Sequence, residues 1–385
     1  MNDWSECLLG DVVELKRGYD LPHRDRRDGP FPIVSSSGVS GTHEAFKAEA
    51  PGVVTGRYGT IGEVYYIETP YWPLNTSLYV RDFKGNDPRF ISYFLRTLDY
   101  YAYSDKAAVP GVNRNHLHLA PVLIPPLNEQ RAIASVLGSL DDKIKLNRRM
   151  NRTLEQMAAA IFREHWERAN AAEVAVPVAE LERRAILLIG DGYRAKRSEL
   201  SDSGPPFIRA GNVKGRVDPS SAERLSVESA ERAGVKNSQL WDSVFTTKGT
   251  VGRLGLVTRS TGDVVYAPQV CFWRSQSDKA LHPLVLHEWM KSVLFTRQWQ
   301  AVKGQTDMAD FVSLTDQRSM TMDLLEPDDQ HELGQRLQPL YDLIDSNAAE
   351  NQALSDTRDA LLPKLMSGEV RIRGVAAGSE VASCV

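Results

Sequence analysis

Cysteine is scarce in this chain of 385 residues: Cys7, Cys271 and Cys384 are far apart and odd in number. That excludes a disulfide framework and, with no secretory leader in view, leads us to expect a reducing cytoplasm. No apolar run approaches the roughly 20 residues that a membrane span needs, so no membrane partner is expected. Excess positive charge is lacking too. The formal net charge is −4, although a basic face can coexist with acidic helices elsewhere. Catalytic motifs are the most telling absence. No Gly-x-Gly-x-x-Gly opens a strand-helix unit and no Walker-type loop is present. Nor is there an Asn-Pro-Pro-Tyr or Asp-Pro-Pro-Tyr, a His-Glu-x-x-His, or a paired-cysteine metal motif. His116 and His118 have no evident companion ligand, and Asp141-Asp142 reads as a solvated helix face. The chain is expected to be non-catalytic and to bind neither metal nor cofactor.

What is present is one design written twice. Pro126-Leu127-Asn128-Glu129-Gln130 opens a long helical pattern with a seam at Ile133, Leu137, Leu140, Ile144, Asn147, Asn151, Leu154 and Ile161. Its spacings of three and four keep one stripe on one face, as in a coiled coil. Adding 200 to each number gives Leu333, Leu337, Leu340, Ile344, Asn347, Asn351, Leu354 and Leu361, after Pro327-Asp328-Asp329-Gln330. Buried Asn at such positions fixes register and partner orientation. The two helices are therefore expected to pair antiparallel about a pseudo-twofold.

Length alone implies more than one core. Residues 1–126 read as a mixed α/β globule, 127–169 as the first long helix, and 170–178 as an Ala/Val linker. Residues 179–326 read as a second globule, 327–370 as the second long helix, and 371–385 as a tail disordered from about Gly374. In the first globule, strand positions are expected at Val12, Val13 and Leu15, and strands at 31–34, 52–55, 64–67 and 74–80, followed by a helix over 88–98. Each long helix, at about 40 residues and 1.5 Å per residue, would span roughly 60 Å and act as a spacer. The globules repeat loosely. Gly192 to Arg197 takes the place of the loop at Gly18, and Pro206 to Asn212 that of Phe31 to Gly38. Thr247-Lys248-Gly249-Thr250-Val251-Gly252 matches Arg57-Tyr58-Gly59-Thr60-Ile61-Gly62 at an offset of 190. Tyr266 to Val270 parallels Tyr71 to Asn75, and Leu284 to Leu294 supplies the helix.

The chemistry that recurs is basic, polar and Gly-rich loops. Arg and Lys contact phosphates, while Arg, Asn, Gln and Ser also read base edges. The candidates in the first globule are Lys16, Arg17, Ser35, Ser36, Ser37, Arg57, Tyr58, Asn75, Asn113 and Arg114. Those in the second are Arg194, Lys196, Arg197, Arg209, Asn212, Lys248, Gln269 and Gln305. Singly, an exposed Arg is usually a solvated charge and an Asn beside Gly usually serves a turn. As a repeated set they point to double-stranded DNA.

With Pro125-Pro126-Leu127-Asn128-Glu129-Gln130, the Gly59-Thr60-Ile61-Gly62 loop and Leu362-Pro363-Lys364-Leu365-Met366-Ser367-Gly368-Glu369, the chain resembles the specificity subunit of Type I restriction-modification systems. The second helix departs from the pattern at Asp328-Asp329-Gln330-His331. The resemblance implies an α+β architecture of two target recognition domains separated by two long helices in an antiparallel coiled coil. It further implies a bipartite DNA site, and docking of two modification subunits that use S-adenosylmethionine. Two restriction subunits that use ATP would complete the complex. The alternative is an assembly scaffold without DNA readout.

Overall fold

A computed structural model describes residues 4–104, 111–168, 175–305 and 310–372, the Gln305 side chain excepted. The chain divides into two compact units, Met1–Lys145 with Gln352–Val385, and Leu146–Asn351. The first contains β1 (Ser5–Leu8), α1 (Leu9–Val12), β2 (Glu14–Arg17), β3 (Phe31–Ser35), β4 (Gly38–His43), β5 (Gly52–Gly56), β6 (Val64–Ile67), β7 (Trp72–Pro73), β8 (Ser77–Asp82), α2 (Pro88–Arg96), α3 (Arg114–Leu117) and β9 (Pro121–Ile124). Helix α4 (Leu127–Arg168) follows. The second contains β10 (Val176–Pro177), α5 (Val178–Arg183), β11 (Leu187–Asp191), β12 (Leu200–Ile208), β13 (Arg224–Leu225), α6 (Val227–Ala233), β14 (Ser243–Thr246), β15 (Leu254–Leu256), β16 (Val265–Tyr266), β17 (Val270–Ser275), α7 (Pro283–Lys291), α8 (Val293–Val302), β18 (Gly304–Gln305), β19 (Asp310–Phe311), α9 (Leu314–Ser319) and β20 (Thr321–Met322). Helix α10 (Pro327–Met366) closes the described chain.

One topology is used twice. The order β2-β8-β5-β6 in the first unit reappears as β11-β17-β14-β15 in the second, and β4-β3-β7 as β13-β12-β16. The parallel pairing of β3 with β7 is matched by that of β12 with β16. Strands with buried β-branched residues on both faces, such as Val53-Val54 in β5, need a cover on each side, and α2 lies over β5 and β6.

The long helices belong to the globules as well as to each other. Ile133, Ala134 and Leu137 of α4 share a core with Phe90 and Phe94 of α2 and with Leu365 and Met366 of α10. Leu333, Leu337 and Tyr341 of α10 share the other core with Ala158 and Phe162 of α4. The start of one helix thus packs beside the end of the other in each unit, which makes the pair antiparallel. Each start is locked to its globule in the same way. Gln130 accepts from the backbone N–H of Asp87, the cap of α2, at 3.0 Å, and Gln330 accepts from that of His282, the cap of α7, at 3.2 Å. Of the seam Asn residues, Asn347 donates to Asn151 at 2.7 Å and Asn151 to the Ile344 carbonyl at 3.0 Å. Asn147 meets Glu350 at 2.7 Å rather than an Asn.

Several expectations are corrected. Val12 ends a short helix instead of lying in a strand. The strand expected at 74–80 begins only at Ser77, because residues 74–76 form a turn closed by Ser77 N–H to Leu74 O at 2.9 Å. The helix expected over 284–294 breaks at Ser292, whose hydroxyl caps a new helix by accepting from Phe295 N. Asp142 is exposed as expected, whereas Asp141 is half-buried, and both are held by partners. Asp141 accepts from Tyr93 Oη at 2.6 Å and Arg358 at 2.7 Å, and Asp142 binds Arg89 at 2.6 Å. In the expected linker, Val176–Pro177 is strand and Val178 opens α5. Arg371 is anchored to the buried Glu129 carboxylate at 2.6 Å, while the tail from Gly374 lies outside the described residues.

Candidate nucleic-acid interface

Antiparallel pairing brings the C-terminal ends of β2 and β5 to the same sheet edge as the N-terminal ends of β8 and β6. The loops at 17–20, 57–63 and 74–76 therefore share one rim, and the tip at 35–37 joins them. Four backbone hydrogen bonds fix this rim: Tyr19 N to Pro73 O (2.8 Å), Leu74 N to Val34 O (2.8 Å), Arg57 N to Thr76 O (3.1 Å) and Val112 N to Arg57 O (3.1 Å). The second unit repeats each one: Tyr193 N to Tyr266 O (2.7 Å), Ala267 N to Ile208 O (2.9 Å), Thr247 N to Gln269 O (2.9 Å) and Val312 N to Thr247 O (3.0 Å). A Cβ on Gly18 would collide with the Leu74 carbonyl, as one on Gly192 would with that of Ala267. Gly59, Gly62, Gly249 and Gly252 all have positive φ (78°, 84°, 75° and 98°), the conformation that the repeated loop requires.

These bonds define which residues occupy the same place. Ser35 corresponds to Arg209, Arg57 to Thr247, Tyr58 to Lys248 and Thr76 to Gln269. They also correct the sequence alignment: Pro73 corresponds to Tyr266, not to Pro268, so the pairing of Tyr71–Asn75 with Tyr266–Val270 is two residues out of step. The two rims share a backbone and differ in side chains.

The candidates fall into two groups. Arg17, Arg114, Arg194, Lys196, Arg197 and Lys248 are exposed and, among the described residues, form no ion pair. Arg57 lies 4.6 Å over the ring of the exposed Tyr58 and donates to Val112 O at 3.3 Å. Arg209 meets Glu223 at 2.7 Å, an exposed pair of the kind that contributes roughly 0–1 kcal/mol and yields to a phosphate. The second group shapes the loops. Asn212 is 8% exposed and accepts from Arg209 N at 3.0 Å, so its amide is turned into the turn and away from any ligand. Asn113 caps α3, accepting from Asn115 N at 3.0 Å. Ser35 bonds Ser37 at 3.1 Å and the Gly38 carbonyl, while Ser36 N–H meets Thr76 Oγ1 at 3.3 Å. Asn75 holds Asp20, and Lys16 donates to Tyr19 Oη at 3.1 Å. Gln269 is half-buried with its carbonyl oxygen unpartnered. The Gln305 side chain lies outside the described part.

Sequence reasoning missed Thr76, which only the corrected register pairs with Gln269. It missed the exposed tip Lys214-Gly215-Arg216 too, closed by a bridge between Val213 and Val217. The signal was there: Val-Lys-Gly-Arg-Val is a hairpin pattern with a basic turn. His118 is accounted for structurally, since its Nε2 accepts from Leu15 N at 2.9 Å and burial pushes its pKa below the usual histidine value. Among the described residues no group of His, Cys, Asp and Glu is arranged to hold a metal ion, and no helix is long and apolar enough to cross a membrane.

Each unit thus presents a rim on the same repeated frame and packs the start of one long helix beside the end of the other, so the chain is a tandem repeat of one architecture. The comparisons place it. Residues 1–156 match the family described as Type I restriction modification DNA specificity domain. The chain is 27% identical over 188 residues to the Type I restriction enzyme HindI specificity subunit of Haemophilus influenzae, which is 42% of this chain and 40% of that protein. Its fold is similar to the crystal structure of a Type I restriction-modification S subunit from M. genitalium, with a TM-score of 0.60 and 14% identity over 95% of this chain and 96% of that one. Residues 1–156 thus carry the match to the Type I specificity domain, and the fold of the chain is similar to that of a Type I S subunit.

Proposed function

We propose that this chain reads a bipartite double-stranded DNA site and scaffolds a Type I complex. Each rim addresses one half-site, and the paired helices set the unspecified spacing between the halves. The observation that carries the reading is the substitution of side chains on an unchanged frame: Ser35, Arg57, Tyr58 and Thr76 on one rim, Arg209, Thr247, Lys248 and Gln269 on the other. A conserved frame with exchanged Arg, Lys, Gln, Ser and Thr suits two readers of different base sequences, because those groups carry base-edge and phosphate contacts. In this reading two modification subunits supply S-adenosylmethionine-dependent adenine methylation and two restriction subunits supply ATP-driven cleavage, in the cytoplasm. The chain itself is non-catalytic and binds neither cofactor.

The decisive experiment maps adenine methylation in host DNA with this gene present and deleted beside its modification partner. Loss of one bipartite motif on deletion supports the reading, and an unchanged methylation map overturns it in favour of assembly without readout. Arg57→Ala and Lys248→Ala should each weaken binding of the mapped duplex about tenfold, the effect of roughly 1–2 kcal/mol per contact, while leaving assembly intact. Normal binding by both variants would remove the rims from the interface.

A further inference from the structure

The two rims are not equivalent around their tyrosines. Gly18-Tyr19 and Gly192-Tyr193 occupy the same place on the frame, shown by the matching bonds of Tyr19 N to Pro73 O and Tyr193 N to Tyr266 O. Around Tyr19, positive charge gathers. Lys16 Nζ lies 3.1 Å from its hydroxyl and 5.1 Å from its ring centroid. Lys47 Nζ lies 5.9 Å over the same ring and 5.1 Å over Trp72. The Tyr19 hydroxyl also meets Tyr79 Oη at 3.1 Å. These contacts lower the Tyr19 pKa, with the Tyr79 hydrogen bond the largest cause and Lys16 the next. Neither lysine forms an ion pair among the described residues, and the neighbouring Asp20 carboxylate is held by Asn75. Around Tyr193 the arrangement is reversed: its hydroxyl donates to Glu199 at 2.9 Å, and Arg232 closes on the same carboxylate at 2.8 Å. The Tyr193 hydroxyl thus faces a carboxylate, where the Tyr19 hydroxyl faces an ammonium group and a phenol.

Resting on the DNA reading above, we propose that Lys16, Lys47 and the Tyr19 hydroxyl form a seat for one backbone phosphate of the duplex, present on the first rim and absent from the second. Two ammonium groups fixed on aromatic faces are preorganised, so little side-chain freedom remains to be lost when a phosphodiester enters. The hydroxyl adds a directional donor. A phosphate contact of this kind carries no base information, so it strengthens binding to any duplex equally and sets register for the loops beside it.

The test is a salt titration of duplex binding by the full chain assembled with its modification subunits. Duplexes with the mapped motif and with a scrambled first half are compared for the native chain, Lys47→Gln, and Lys16→Gln with Lys47→Gln. Each lost lysine contact should make the slope of log affinity against log salt shallower by about 0.9, hence roughly 1.8 for the double variant. The ratio of matched to scrambled binding should stay constant. An unchanged slope in a complex that still discriminates the two duplexes overturns the seat alone. If the native complex does not discriminate them, the DNA reading fails and the seat falls with it. Lys47 is exposed, so its single variant carries the test should the double variant misfold.

Discussion

Gln130 and Gln330 hold equivalent positions, yet replacing each by Ala should have unequal consequences. Gln130 is 2% exposed and makes three bonds: Oε1 accepts from Asp87 N at 3.0 Å, and Nε2 donates to Asn86 Oδ1 at 2.7 Å and to the Pro125 carbonyl at 2.9 Å. Gln330 is 0% exposed and accepts from His282 N at 3.2 Å, but its Nε2 is buried without a partner. The cavity left by Gln→Ala is similar at both sites and cancels in the difference. Truncation at 130 orphans a cap N–H and two acceptors, costing roughly 3–4 kcal/mol beyond the cavity at about 1 kcal/mol or more per group. Truncation at 330 orphans one N–H but removes an unsatisfied amide, for a net of roughly 0–1 kcal/mol. The first unit should therefore lose about 3 kcal/mol more than the second. Urea unfolding of the full chain, read separately for each unit by hydrogen exchange at α2 and α7, measures both. Equal losses, or a larger loss from Gln330→Ala, would refute the reasoning.

Burial holds the His287 pKa down at about 3, with its Nδ1 3.0 Å from Ser243 Oγ. Because the folded value is depressed, its contribution is fully present above the ordinary value of 6.5 and is lost as pH falls toward about 3. The second unit should lose roughly 2 kcal/mol between about pH 7 and pH 5, and His287→Gln should flatten that decline in denaturant midpoints. On the seam, Asn151→Ala strands the Asn347 amide and the Ile344 carbonyl and should cost about 2 kcal/mol. Asn151→Leu with Asn347→Leu should recover native stability or exceed it. A double-mutant cycle checks this, and a pair of leucines worse than either single change contradicts it.

The seam was legible because it is periodic. An apolar stripe must recur every three or four residues whatever else drifts, so both long helices, their starts and their pairing could be read from spacing alone. The rims were half legible. Gly59, Gly62, Gly249 and Gly252 announce a loop with positive φ, but the residues beside them carry no constraint that reveals whether a polar side chain faces a ligand or its own turn. Asn212 and Arg209 are three positions apart in one loop, and only the fold shows that one is buried while the other is exposed. The two-residue slip at Pro73 has the same origin. Proline marks a turn in both halves, and the turn moved along the chain while the hydrogen bonds stayed.

The bond between globule and helix shows most directly why the halves diverge in sequence and not in form. Tyr93 of α2 donates to Asp141 of α4 at 2.6 Å. At the equivalent places, offset by 195 and 200, stand Glu288 of α7 and Tyr341 of α10, and there Tyr341 donates to Glu288. Phenol and carboxylate have changed sides while the bond between helix and helix persists. A residue-by-residue comparison scores both positions as mismatches, although the physical requirement, a phenol hydroxyl facing a carboxylate across a buried helix contact, is met in each. The family match ends at residue 156, yet the same strand order, rim bonds and helix clamp continue through the second unit. What is preserved there is the geometry that presents the loops, and any side chain able to keep that geometry is tolerated.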